Sequence, residues 1–188
     1  MRPVRLFVAM VSIFHGAFTV EALAQTPPPV LATDIPAAAI QAVLNSQPAA
    51  ADKLIKSIDI GTYSVGVGIL HRGVTRAGAP ISAINHAQVT EIYYVISGTA
   101  TLLTGGTVTN VTSIPSDSDI VKIDVGPSSQ GVFDRPAQRR KIGAGDVVII
   151  PAGVYHGFDE VVGGIDYLAF RTDPNHVLPT NYVHPAAR

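Results

Sequence analysis

The sequence predicts an all-β domain with one short N-terminal helix. Three observations carry this. From Leu54 onward, apolar residues recur mostly at period two. Clusters of Gly, Pro, Asp and Ser break those runs at short intervals. A stripe with helical spacing is clear in one place, at Ile40, Val43 and Leu44.

Residues 1–24 read as a secretory signal peptide. Met1 to Arg5 is basic, Leu6 to Val20 is largely apolar, and Ala22-Leu23-Ala24 has the small-x-small form of a cleavage site before Gln25. Leu6 to Val20 is too short to span about 30 Å of hydrocarbon. The expectation is therefore an exported protein, periplasmic or secreted, that is soluble after cleavage. Residues 25–52 make a Pro-rich flexible lead and the short helix. Thr33 or Asp34 is placed to cap that helix and Pro36 fits its first turn, with a loop from Gln47 to Asp52. The domain proper spans 53–175, and 176–188 is a tail.

Within the domain, strands start near Leu54, and Tyr63 to His71 forms the next. Its glycines at 66 and 68 point to a bend or a close backbone approach. Glu91 to Ile96 alternates, with Glu91, Tyr93 and Val95 on one face. Thr99 to Thr104 follows, and Gly105-Gly106 reads as a turn back. Thr109 to Pro136 is rich in Ser, Asp, Gly and Pro and reads as an insertion, a mobile cover over the site. Gln138 to Ile142 is a strand. Val147 to Ile150, four β-branched residues, reads as buried on both faces. The last clear strand is Ile165 to Arg171, and the tail is expected to wrap the surface or fray.

Composition narrows the function. The formal net charge is −1, with no long basic run, which argues against nucleic acid. There is no cysteine, so the fold uses no disulfides and any metal takes N and O ligands. There is no Trp to stack against a sugar.

The chemistry concentrates in two stretches. In Gly145 to Phe158, GDVVIIPAGVYHGF, a Pro-Gly turn delivers His156 to the same strand face as Val154 and Phe158. In Gly78 to Gly98, GAPISAINHAQVTEIYYVISG, His86 and Glu91 stand at the start of a strand. Together these resemble the two motifs of the cupin family. Gly145, Pro151, Gly153 and His156 fit the second motif at every spacing, with Glu160 where an Asn is usual. Gly78, His86, Glu91 and Gly98 fit the first, with Ile84 where its first histidine would stand.

The resemblance implies a jelly-roll β-barrel with a site in its mouth. It implies His86, Glu91 and His156 as ligands of a divalent ion (Fe, Mn, Ni or Zn), with Gln88 or His71 as possible additional ligands in place of the missing histidine. Glu91 requires a cation nearby, either the metal or one of Arg72, Arg76, Arg139 and Arg140. Tyr93, facing inward, is the candidate catalytic acid or substrate-orienting group. Arg140 could hold a substrate carboxylate, or belong to a solvated strand. Three function classes stay open: a metal-dependent oxygenase, isomerase or lyase acting on a small molecule; a metal-free ligand-binding barrel; and a structural module. A homodimer formed through edge strands is expected.

Overall fold

The computed structural model describes residues 31–46, 50–75 and 78–188. The signal-peptide stretch, the lead up to residue 30, and Arg76 lie outside the described residues. In chain order the elements are α1 (Ala37–Asn45), β1 (Ala50–Asp59), β2 (Ser64–Arg72), β3 (Ser82–His86), β4 (Thr90–Ser113), a π-helical turn (Ile120–Val125), β5 (Ser128–Gly143), β6 (Val147–Ile150), β7 (His156–Asp173) and a 3-10 turn (Pro185–Ala187). None of the described helices is long and apolar enough to cross a membrane.

All ladders are antiparallel, and two long bent strands serve both halves of a jelly roll. The C-terminal part of β7 lies between β2 and the start of β4, and β6 pairs with β4 on its other side. The start of β7 pairs with β4 at Leu102 to Thr104, which also pairs with β5. β5 carries β3, and β3 touches β7 at Ile84 opposite His156. β1 and β6 end the ladder, so the barrel is not closed. The inward residues of both halves, Tyr93, Val95, Leu102, Val148, Ile165 and Tyr167 among them, form the main core. On the outside of β1 and β2, Val43 of α1 packs with Ile55 and Ile69.

Several sequence expectations are corrected. Gly105-Gly106 do not turn the chain back: both have positive φ, yet β4 runs on through them to Ser113. At Gly98, also at positive φ, a Cβ would stand 2.0 Å from the Gly164 carbonyl oxygen, so β4 and β7 come together there only without a side chain. β6 is buried on one face only: Val148 and Ile150 point inward, whereas Val147 is 61% and Ile149 64% exposed. It is a sheet-end strand, and β-branched residues favour a strand whether or not both faces are covered. The helix begins at Pro36 without a side-chain cap, and β1 starts at Ala50, inside the expected loop.

The largest correction concerns 109–136, which is structural framework rather than a loose cover. Thr109 pairs with Val132, Thr112 with Gln130 and Ser113 with Ser129, and Ser128 to Val132 of β5 also pair with β3. The π-helical turn is tied to β1. Asp124, 2% exposed, accepts from the Leu54 amide at 3.1 Å and from Lys53 Nζ at 2.8 Å. Burial pushes the Asp124 carboxyl up, while the Lys53 ammonium pulls it back. The stretch reads as a loop because its strands are largely solvated and carry Ser, Thr and Gly in place of alternating apolar residues; backbone pairing overrides that composition.

The tail wraps and does not fray. Ser57 and Tyr182 exchange hydrogen bonds, the His184 amide donates to Ile55, and Leu178 is buried.

Candidate metal centre

Glu91 and Tyr93 are consecutive inward residues of β4, His86 ends β3, and His156 begins β7. All four are buried. His86 Nε2 lies 3.4 Å and His156 Nε2 3.5 Å from Glu91 Oε2, and the three ligand atoms fall within 4.8 Å of one another.

The surrounding hydrogen bonds fix which ring nitrogen faces the cluster. Ser128 donates its hydroxyl hydrogen to the Gly126 carbonyl, so its oxygen accepts from His86 Nδ1 at 2.8 Å. His156 Nδ1 faces the Val154 carbonyl at 3.1 Å and must donate, since a carbonyl only accepts. With Nδ1 donating in both rings, Nε2 is the nitrogen that faces Glu91, and in a neutral ring it presents a lone pair. Burial lowers His156 to about 4, against the attraction of Glu91, so this ring is neutral near pH 7.

Glu91 is a charged acceptor. Burial opposes its charge, yet the His86 ring in its protonated form and the guanidinium of Arg171 hold its carboxyl well below the usual range. Oε2 accepts from the Tyr93 hydroxyl at 2.9 Å and Oε1 from Arg171 Nε at 3.0 Å. Burial, then the Glu91 charge, raises the Tyr93 hydroxyl well above its ordinary value, which keeps it a donor. When both rings are neutral, three acceptors converge in this buried space. That arrangement is repulsive without a cation. The two shorter separations match the edge of a tetrahedron with bonds of about 2.1 Å, which is about 3.4 Å. The residues fit a small divalent ion with N/O preference.

No family model and no curated protein matches the chain. Solved structures similar to it include a Bacillus halodurans protein (13% identity, 85% of this chain and 91% of that one, TM-score 0.44). They also include the cupin domain of Schizosaccharomyces pombe Cnp3 (11%, 69% and 66%, 0.40) and a Bacteroides fragilis cupin protein (18%, 63% and 72%, 0.34). Likeness at this level concerns fold and nothing more. The strand pairing itself gives the fold, an open antiparallel jelly roll.

In this site the carboxylate's cation is Arg171, which sequence reading missed. Arg171 is fully buried and also pairs with Asp52 Oδ1 at 2.5 Å. Gly68 makes room for it: a Cβ there would stand 2.6 Å from Arg171 Nη1. Of the two glycines read as a bend or a close backbone approach, Gly68 faces this side chain, whereas Gly66 lies against Leu178 and Leu54. Period two from Tyr167 and Ala169 leads to Arg171, and that parity was the available signal.

The other candidates lie apart from the cluster. His71 Nδ1 pairs with Asp166 at 2.6 Å. Gln88 is half-buried in the bend between β3 and β4. Arg139 pairs with Asp159, and Arg140 Nη1 donates to Gln138 at 3.1 Å. Two tail histidines outside that set are also engaged elsewhere: His176 meets Ser64, and His184 accepts from the Ala186 amide.

A cleft of about 1140 Å³ opens beside His156. Ile84, which stands where the cupin motif has a histidine, lines it with Ile81, Val132, Phe158 and Val161. Arg72 also lines it and donates from Nε to the Tyr167 hydroxyl at 3.4 Å. Burial pushes that hydroxyl up to about 12, against the pull of Arg72, so Tyr167 is neutral.

Proposed function

We propose that this chain is an exported cupin-like protein that holds a divalent ion at His86, Glu91 and His156 and acts on a small organic molecule in the adjoining cleft. The observation that carries the reading is the buried convergence of two imidazole Nε2 atoms and a carboxylate oxygen. A divalent ion there supplies a Lewis acid for a carbonyl or carboxylate oxygen. Ser128 and the Val154 carbonyl orient the rings, and Tyr93 and Arg171 fix the carboxylate, leaving Oε2 toward the two histidines. Ile84 and Phe158 keep the cleft apolar beside His156 and limit water there. Export rests on residues 1–24.

Arg171 favours a second reading, a metal-free ligand-binding barrel, because it already balances Glu91. Elemental analysis of protein purified from its own compartment, with Zn²⁺ and Mn²⁺ titration by calorimetry, separates the two. One ion per chain, lost in His156→Ala, is expected. Failure of the wild-type protein to bind either ion would move the metal-free reading to the front.

A further inference from the structure

We propose that the ligand of the cleft is a small organic monoanion, a carboxylate on an apolar body, and that Arg72 holds its carboxylate. This deepens the reading above by naming the ligand class of the same cleft.

Charge balance leads to this. Among the described residues, the formally charged groups lining the cleft are Arg72 and Asp159. Asp159 is already committed, its carboxylate to Arg139 and its carbonyl to the Thr75 hydroxyl. Arg72 has no carboxylate within ion-pair distance among the described residues. Its one side-chain hydrogen bond runs from Nε to a neutral tyrosine. Asp52 sits on the adjacent strand, but Arg171 holds it. Both terminal nitrogens of the Arg72 guanidinium, four of its five donors, are thus without a partner among the described residues, in a half-buried place. A guanidinium withdrawn from water gains most from a bidentate carboxylate, and one cation balances one negative charge.

The rest of the lining sets the body of the ligand. Val74, Pro80, Ile81, Ile84, Val132 and Phe158 present apolar surface. A phosphate dianion would bring a second charge with no second lining cation among the described residues. Of the cluster, His156 lines the same cleft as Arg72.

The test uses the mature protein and four probes: phenylacetate, isovalerate, and the primary amide of each. Binding is read by calorimetry and ligand-observed NMR, once with Zn²⁺ and once with chelator. At least one acid is expected to bind and its amide not to bind. Arg72→Gln should weaken the acid by about thirtyfold or more. Arg72→Lys, which keeps the charge but loses the fork, should fall between and guards against a folding defect in the first variant. Neither acid binding, amides binding as well as acids, or acid affinity unchanged in both variants would each overturn the proposal. The Zn²⁺ titration of the wild-type protein reports on the metal reading separately: acid binding that depends on Arg72 in chelator stands even when no ion binds.

Discussion

Glu91 and Arg171 are direct cross-strand partners of β4 and β7, and their side chains meet at 3.0 Å with neither exposed by more than 1%. The centre is therefore built around an ion pair that spans the sheet, and the histidines are added to a carboxylate already held in place.

Removing the cation should expose this. In Arg171→Met, Glu91 and Asp52 are left buried without it, which should cost about 3–5 kcal/mol. The loss should be smaller when Zn²⁺ is present, because an ion then supplies the missing charge. Urea denaturation with and without chelator measures both; equal losses in the two conditions would show that no ion reaches Glu91.

The orienting shell should matter nearly as much as the ligands. Ser128→Ala removes the acceptor of His86 Nδ1 and should reduce Zn²⁺ affinity by about 10–100-fold. His184→Ala, on the tail, should leave it unchanged. Calorimetric titration of the two variants decides whether Ser128 fixes the ring.

Acid should weaken the metal-free fold. The unfolded His156 ring takes a proton near its ordinary 6.5, whereas the folded ring resists until about 4. Its contribution is complete above the ordinary value and falls as pH drops from there toward about 4. The depressed Glu91 carboxyl adds a further loss in the same direction at lower pH. Urea midpoints in chelator should decline through this range; a midpoint that rises on acidification contradicts the buried neutral ring.

The 109–136 segment should behave as framework. Asp124→Ala frees the Leu54 amide and Lys53 and should cost about 1–3 kcal/mol. Amide exchange at Thr109, Thr112 and Gln130 should be slow, like that of Val148. Fast exchange there would restore the mobile cover.

A dimer is expected through the outer face of β4, β6 and β7. Tyr94, Ile96, Val147, Ile149 and Phe170 are all exposed there, and Ile92 is registered against both Ile149 and Phe170. Sedimentation should show a pair that Val147→Lys dissociates; a monomer at every concentration removes the idea.

What was legible in the sequence was parity and punctuation. Alternation placed Glu91 and Tyr93 inward, and the Pro151-Gly153 turn delivered His156 to meet His86. Where composition spoke for solvent exposure, as in Thr109 to Pro136, it concealed backbone pairing, because hydrogen-bonded ladders need no apolar side chains. Arg171 was missed for a related reason: a charge at a strand end suggests solvent, although the same alternation that buries Tyr167 buries it too.

The tail carries one more consequence. Val183 bridges Lys56, and residues 182–184 run along β1, so one lateral end of the ladder is already occupied by the chain itself. β6 ends the other. Among the described residues β6 is then the vacant end of the ladder, and a sheet that pairs there across a two-fold axis has used that end. Lateral growth by strand pairing therefore stops at two copies, and truncating the chain before Tyr182 should be what permits polymers.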